Sequence, residues 1–365
     1  MHIIRRWFEH YFSDPQVVIL AGLLLLGFVV VLAFGDMLAP VLAGVVIAYL
    51  LEGVVSKLES FHLHRTLAVA LVLLTFLLFV LFLLFGVLPR LSAQISQLVQ
   101  QLPDMISRGQ AALSQLPERY PDFITAAQVK DITTSIRSEL GALGQRVVSL
   151  SVASVVGLIT LLVYLVLVPV LVFFFLKDKD SILAWLGGYV PRERELTARV
   201  WREVNRQIAN YVRGKVWEIL IVGSVTFVTF QILGLEYAEL LATLVGLSVI
   251  IPYIGAAVVT VPVAVIAYFQ FGWGSDFGWV IGAYAVIQAL DGNMLVPLLF
   301  SEVVNLHPVA IIIAVLLFGG IWGFWGVFFA IPLATLVKAV LQAWPRREHW
   351  GDTQLEVPLP SSGDE

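Results

Sequence analysis

The chain has 365 residues, of which 59% are hydrophobic and only 13% charged, and its mean hydropathy is +0.92. Globular chains carry about 25% charged residues, which keep their surfaces dispersed in water. The composition therefore excludes an ordinary soluble protein and indicates a polytopic all-α membrane protein. The net charge of −4 does not favour nucleic acid as a partner. The absence of cysteine excludes disulfides, thiolate metal sites and cysteine nucleophiles.

Apolar runs predict five membrane spans in the first two thirds of the chain. A helix that crosses a bilayer core about 30 Å thick needs about 20 apolar residues. The first run follows an amphipathic segment, residues 1–16, and we interpret it as a retained span because it has no convincing small-residue cleavage site. The five predicted spans are residues 17–34, 37–51, 66–89, 147–176 and 219–235.

The segment between the third and fourth spans is predicted to be helical. Apolar residues recur in it at spacings of three and four, first from Leu91 to Ile106 and again from Ile132 to Val147. Pro117 separates the two patterns. We expect a helical insertion built on extensions of the neighbouring spans.

Proline and glycine interrupt the apolar runs after residue 235. Pro252, Gly255 and Pro262 break the uncharged segment 240–275. Interrupted helices are tolerated at membrane depth where they pack in protein or line a cavity, and they are typical of transporter substrate paths. Pro and Gly are also frequent in ordinary membrane helices. We predict eight crossings, with 240–271 as a hairpin of two and 277–300 as a partial or re-entrant element.

Lysine and arginine concentrate in residues 177–215, which hold nine of the 22 in the chain. The positive-inside rule places this segment and both termini on the cytoplasmic side of a bacterial inner membrane. The amphipathic stretch 196–211 fits either a helix on the anionic inner leaflet or a plain orientation signal.

The predicted organisation is an N-terminal membrane segment (1–89), an external helical insertion (90–150), the fourth span (151–176), the basic cytoplasmic segment (177–215), a C-terminal membrane segment with broken helices (216–343) and a disordered cytoplasmic tail (344–365).

Signatures of common enzymes are absent from the sequence. It contains no Gly-Lys-Ser or Gly-Lys-Thr phosphate loop, no paired-histidine metal motif and no Gly-x-Ser-x-Gly elbow. We therefore expect neither enzymatic activity nor ATP-driven transport, and we predict no cofactor and no metal site.

The strongest chemical signal is an asymmetry of charge in residues 216–337. This stretch has no lysine or arginine but six acids, namely Glu218, Glu236, Glu239, Asp276, Asp291 and Glu302. Acids within spans are costly and by default functional. Asp291 lies among polar residues, beside a glycine and before Pro297, as in an unwound half-helix that binds a ligand or in a loop at the membrane surface. With no cation in the same stretch, an ionised Asp291 needs a mobile cation, a proton or water as its partner.

Two groups of residues are candidates, one for a substrate or ion path and one for helix packing. The predicted path for substrate or ion comprises Pro252, Tyr253, Gly255, Gln288, Asp291, Asn293, Pro297 and Glu302. The second group has small residues three and four apart, a spacing that favours close helix packing over a ligand-binding loop. It consists of Gly319, Gly320, Gly323 and Gly326.

Several motifs of the C-terminal half resemble a known family, the autoinducer-2 exporter family of permeases. They are Ile251-Pro-Tyr-Ile-Gly255, Asp291-Gly-Asn-Met-Leu-Val-Pro297, Asn305-Leu-His-Pro308, the run from Gly319 to Gly326 and Ala330-Ile-Pro332. The run from Leu298 to Pro308 looks most like the PerM branch of that family. Gly292 stands where many members carry a second asparagine, and Leu298 and Leu299 stand where many carry a basic residue.

The resemblance implies eight spans, an external helical insertion and assembly into a homo-oligomer, a pentamer. It also implies carrier function, with autoinducer-2 export and sodium or lithium/proton exchange both known among members. We expect a secondary transporter that exports a small polar solute and is coupled to a proton or sodium gradient, with membrane lipids around it. The alternative is a membrane scaffold of the cell envelope that binds other proteins through its insertion and its cytoplasmic segment.

Overall fold

A computed structural model of the protein describes residues 15–114, 131, 134–135, 154–188, 195–300 and 306–343. Nearly all of this part of the chain is helical and none of it forms a strand. Residues 1–14, most of the second half of the insertion, Glu302 and the polar tail lie outside the described residues. The helices are α1 (Pro15–Ser60), α2 (Arg65–Phe82), α3 (Leu88–Ser114), α4 (Ser154–Lys177), α5 (Lys179–Gly188), α6 (Glu195–Ile232), α7 (Ala238–Ser248), α8 (Ile254–Phe271), α9 (Ser275–Leu290), α10 (Val296–Phe300), α11 (Pro308–Phe328) and α12 (Ala330–Ala343).

The predicted class, an all-α polytopic membrane protein, is confirmed. Among the described residues, six helical stretches are long and apolar enough to cross a membrane by length and composition. They are Met37–Ser60, Arg65–Ala111, Asn205–Ile232, Ile254–Phe271, Ser275–Phe300 and Pro308–Phe328. The count of eight crossings stays a prediction.

The N-terminal half packs α1, α2 and α4 around a shared core. Val55, Val69 and Val172, one from each helix, are fully buried there. Backbone angles in α1 leave the helical region at Phe34, where φ is −126° and ψ is 17°. This kink falls between the two runs that the sequence separates into a first and a second span.

Arg65, the first residue of α2, ties these helices together at one end. Its Nε donates a hydrogen bond of 3.1 Å to the carbonyl oxygen of Leu176, close to the end of α4. Its Nη atoms lie 3.2 Å from a carboxylate oxygen of Glu59 and 3.5 Å from one of Glu52. The guanidinium therefore satisfies a carbonyl that the end of a helix leaves without an intrahelical partner.

The insertion begins as an extension of α2, as predicted. A π-helical turn, Leu83–Val87, joins α2 to α3 without a break. The apolar face of α3 packs against α7 and its neighbours through Leu91 and Leu98. Gln94 on the same face accepts a 3.0 Å hydrogen bond from the backbone N–H of Leu240. The first part of the insertion is thus docked on the C-terminal half.

Helix α6 is the central element of the C-terminal half, with α1, α7, α9, α10 and α12 packed around it. It is one unbroken helix of 38 residues. The amphipathic stretch 196–211 is the first part of this helix. Its role as a helix on the inner leaflet or as a plain orientation signal stays a prediction.

Helices α7 and α8 form a hairpin, which we call the first hairpin. A Cβ atom at Gly255 would lie 1.8 Å from the carbonyl oxygen of Ser248, so the two arms meet almost backbone to backbone. Tyr253 in the turn has a positive φ of 62°. Helix α7 has only 11 residues, which span about 16 Å, so it is too short to cross a bilayer alone.

The element too short to cross the membrane is therefore α7, and not the segment 277–300 that was expected from the sequence. The expectation assigns two crossings to 240–271 and a partial element to 277–300. In the structure, the first arm of the hairpin is the short one, while Ser275–Phe300 is a run of 26 residues, long enough to cross. A π-helical turn, Asp291–Leu295, carries the helix past the polar residues that were expected to unwind it.

Helix α11 also turns back on itself, and with α12 it forms a second hairpin. Gly323 in α11 has a positive φ of 56°. A Cβ at Gly326 would lie 1.8 Å from the carbonyl oxygen of Phe318, although residues eight apart on a straight helix are separated by about 12 Å. Gly319 and Gly326 therefore allow a close packing contact, while Gly320 has open space around its Cα.

Candidate functional site

One face of α6 carries ionisable side chains into the interior. Tyr211, Lys215, Glu218 and Val222 recur at spacings of four, three and four, which places them on one side of the helix. Their exposed fractions are 1%, 3%, 2% and 2%. Lysine and glutamate are almost never buried to this degree unless they are paired.

Lys215 and Glu218 form a buried ion pair. The Nζ of Lys215 lies 2.7 Å from Oε2 of Glu218, and it also donates a 2.6 Å hydrogen bond to the backbone carbonyl of Val249. It lies 5.3 Å from the centre of the Phe300 ring, within the range of a cation–π contact. One ammonium group therefore joins α6, the turn of the first hairpin and the end of α10.

Asp291 brings a second carboxylate to this ion pair. Its charge acts on both Lys215 and Glu218. Its Oδ1 atom is buried and has no hydrogen-bond partner among the described residues, and the same is true of Nε2 of Gln288, one turn earlier. Asp291 opens the π-helical turn, a type of distortion that is frequent at functional sites. We call Lys215, Glu218 and Asp291 the charge cluster.

The turns of both hairpins reach the same stretch of α6. Val249 in the first hairpin accepts the hydrogen bond from Lys215. Phe328 in the second hairpin packs against Tyr211, with ring centres 6.0 Å apart. Ile250 belongs to the same core as Phe328. The charge cluster thus lies where two interrupted elements meet one continuous helix.

The structure distributes the predicted path residues unevenly. It brings Gln288 and Asp291 to the charge cluster. Pro252 and Gly255 lie in and just after the turn of the first hairpin, next to the Val249 carbonyl.

The side chains of three other path residues point elsewhere. Tyr253 is largely exposed. Asn293 is exposed and bonds within its own helix, donating 2.8 Å to the carbonyl of Ala289, and Pro297 is exposed on α10. Glu302 lies outside the described residues.

Sequence reasoning missed the fixed cation of this site. It treated Lys215 as part of the basic cytoplasmic segment, although this residue is buried in the helix bundle. Lys215 thus adds a fixed cation, whose charge acts on Asp291, to the mobile cation, proton or water expected as its partner. A usable signal was present, since Lys215 and Glu218 are three residues apart, at ion-pair spacing, where the apolar part of α6 begins.

The fold and the cluster together define the class of protein. Several apolar helices of membrane length pack together with broken elements that converge on buried charges, as is typical of membrane carriers. The family model described as "AI-2E family transporter" matches residues 18–346, and the chain belongs to this family.

The chain is also similar to individual family members along nearly its whole length. It is 48% identical over 345 residues to the protein named "Putative permease PerM" of Escherichia coli strain K12, which covers 94% of this chain and 98% of that relative. It is 27% identical over 306 residues to "Putative transport protein YueF" of Bacillus subtilis strain 168, which covers 82% of each chain. Both names describe transport, in agreement with the class that the sequence predicts.

Proposed function

We propose that the protein is a secondary transporter that exports a small polar solute, driven by a proton or sodium gradient. One observation carries this proposal: a buried lysine and two carboxylates meet the turn of a broken helix pair inside an apolar bundle. Ionisable groups at such depth are expensive, and in membrane proteins they mark the paths of ions and substrates.

The first hairpin supports a path at this position. Its turn frees backbone carbonyls from helical hydrogen bonding, and such groups survive at membrane depth only in protein or beside a cavity. One of them, the carbonyl of Val249, accepts its hydrogen bond from Lys215. Nε2 of Gln288 and Oδ1 of Asp291 offer a donor and an acceptor without partners among the described residues. A polar solute with hydrogen-bonding groups of both kinds fits this pair.

The surroundings of the protein follow from charge placement. The basic residues of 177–213 and the tail residues Arg346 and Arg347 favour a bacterial inner-membrane protein with both termini in the cytoplasm. The insertion then faces the outside, and export means movement toward α3. Assembly into a homo-oligomer rests on the family resemblance.

Transport by the purified protein in liposomes tests the proposal. Proteoliposomes are loaded with an equimolar mixture of sugars, polyols, amino acids and small carboxylic acids, and a proton or sodium gradient is imposed. Mass spectrometry of the lumen then shows which component is lost. We expect gradient-dependent loss of one chemical class with the wild type and its abolition in Asp291→Asn.

A matched control distinguishes loss of the Asp291 carboxylate from a general effect of replacing an acid on the same helical stretch. Asp276→Asn changes an exposed acid in the first turn of α9, the helix that leads to Asp291, and we expect wild-type transport from it. If no component moves under either gradient and Asp291→Asn still supports the cell, the scaffold alternative replaces the transporter.

A further inference from the structure

We propose that the charge cluster holds one exchangeable proton, that Lys215 is the permanent counter-ion of its two carboxylates, and that this proton is the coupling ion of the transport cycle. The proposal rests on the proposed function and names the coupling ion and its site. It is argued from the charge balance of the cluster, from the atoms that Lys215 contacts and from a buried hydroxyl two turns before Glu218 on α6.

The charge balance favours one more positive charge, because Lys215 and Glu218 are buried and Asp291, although half-buried as a residue, has a buried Oδ1 atom. With Glu218 and Asp291 both ionised, the cluster carries two negative charges and the single positive charge of Lys215. An uncompensated charge in a buried site costs several kcal/mol, so such sites take up a proton or another cation. One proton brings the net charge of the cluster to zero.

Other ionisable groups nearby do not supply the missing charge. Among the described residues near α6, Arg213 is bound to the carbonyl of Ala209 and to the side chain of Asn210, on its own turn of the helix. Glu52 of α1 is engaged by Arg65 and Lys179 at the end of the N-terminal bundle. The α7–α8 turn offers the cluster a backbone carbonyl, and α10 offers the ring of Phe300.

Occupancy by the lysine favours a proton over a metal ion. Hard cations bind to shells of several oxygen ligands. Two of the oxygens available here, Oε2 of Glu218 and the carbonyl of Val249, already accept hydrogen bonds from Lys215. A sodium ion at Asp291 would have to share this small site with an ammonium group of like charge. A proton adds no ligand shell and needs one carboxylate oxygen.

Tyr211 supplies an independent observation. Its side chain is 99% buried, and its hydroxyl has no hydrogen-bond partner among the described residues. It lies two turns before Glu218 on the same face of α6, and the charge of Glu218 acts on it. A hydroxyl both donates and accepts hydrogen bonds, so it suits a carboxylate that gains and loses the ammonium group of Lys215.

A shared lysine also links the proton to movement of the first hairpin. In the structure Glu218 holds Lys215, so the proton resides on Asp291. When Asp291 releases this proton to water, its carboxylate competes for the ammonium group. Movement of Lys215 toward Asp291 removes the donor from the Val249 carbonyl and releases the turn. One proton lost thus breaks one contact between α6 and the hairpin.

Infrared difference spectroscopy of the purified full chain tests the proton count directly. A protonated carboxyl group has a C=O stretching band that shifts on exchange into heavy water. The wild type should show one such group that titrates as the pH is raised. Glu218→Gln and Asp291→Asn each leave one carboxylate for the lysine, so the band should be lost in both.

Removal of the lysine should have the opposite effect. In Lys215→Met both carboxylates need a proton, and the band should grow to about twice its wild-type area. The double variant Lys215→Met with Asp291→Asn should return to a single proton. If the single lysine variant fails to fold, the double variant still tests the proposal. Its cluster keeps one carboxyl group, Glu218, and a single proton makes that cluster neutral. Asp276→Asn should leave the band unchanged.

Two results would overturn the proposal: a wild type without a titrating carboxyl band, or a double variant whose band is absent. These results are distinguishable from failure of the proposed function, because the spectra require no solute. Transport driven only by sodium, with no carboxyl band, would retain the transporter and remove the proton site. A carboxyl band that changes in the variants as predicted, with no transport of any solute, would retain the proton site and remove the transporter.

Discussion

Replacing Gly255 by alanine tests the sharpest contact of the first hairpin. A Cβ atom at this position would lie 1.8 Å from the carbonyl oxygen of Ser248 and 2.6 Å from its carbonyl carbon. Real Cβ atoms essentially never approach another heavy atom closer than 3.0 Å. The obstructing atoms belong to the backbone, so no change of side-chain rotamer relieves the overlap. The two arms of the hairpin must separate by more than 1 Å.

The cost follows from the nature of this contact. An extra methyl group in a packed interior costs about 1–3 kcal/mol where the neighbours adapt. Since backbone must move here, we expect Gly255→Ala to lower the free energy of unfolding by about 3 kcal/mol or more. The movement also displaces Val249, the neighbour of Ser248, and so weakens the hydrogen bond that its carbonyl accepts from Lys215. We therefore expect loss of transport as well.

Thermal unfolding of the purified protein in detergent, followed by tryptophan fluorescence, measures the effect. Gly282→Ala is the matched control, because Gly282 is exposed inside α9 and a Cβ there meets no atom within 4 Å. The control should unfold at the wild-type temperature or slightly above it, since alanine is the better helix former. Equal unfolding temperatures for Gly255→Ala and Gly282→Ala would refute the reasoning about the tight turn.

Three further substitutions probe other contacts by the same thermal assay. Arg65→Gln removes the guanidinium from the carbonyl of Leu176 and should cost about 2 kcal/mol, as for hydrogen bonds of charged groups; an unchanged melting temperature contradicts this. Gln94→Ala should cost about 1 kcal/mol, because the N–H of Leu240 loses its acceptor, and a larger loss than for Arg65→Gln would be inconsistent with the geometry. Gly326→Ala should destabilise the second hairpin by about 3 kcal/mol, and wild-type stability would disprove the close approach of its arms.

The sequence was sufficient to predict the class and many of the helices, because hydrophobic length and periodicity are local properties. The apolar spacing from Leu91 to Ile106 predicted a helix with one apolar face, and α3 packs through Leu91 and Leu98 of that face. The separation of the first two runs coincides with the kink at Phe34. These predictions needed no knowledge of the partner helix.

Predictions that depended on tertiary contacts were less accurate. The polar run after Gln288 was expected to unwind, but a π-helical turn accommodates it within a continuous helix. Lys215 was assigned to the cytoplasm because it follows a row of basic residues, and its spacing of three from Glu218 is the one local feature that pointed to an ion pair. The helices packed around α6, among them α7 and α10, place it in the interior. Burial of a single charged residue is decided by its neighbours in space.

Stability alone gives no reason for the buried ion pair of Lys215 and Glu218. Replacing such a pair by apolar residues of similar volume is often neutral or stabilising, whereas removing one partner costs about 3–5 kcal/mol. The same holds for the first hairpin, since an unbroken helix would satisfy more backbone groups than the turn at Tyr253 does. The two costly features meet at one hydrogen bond, from Lys215 to the carbonyl of Val249. A contact that joins a buried charge to a helix break, both of them costly, fits the proposed transport step in which that bond is broken and formed again.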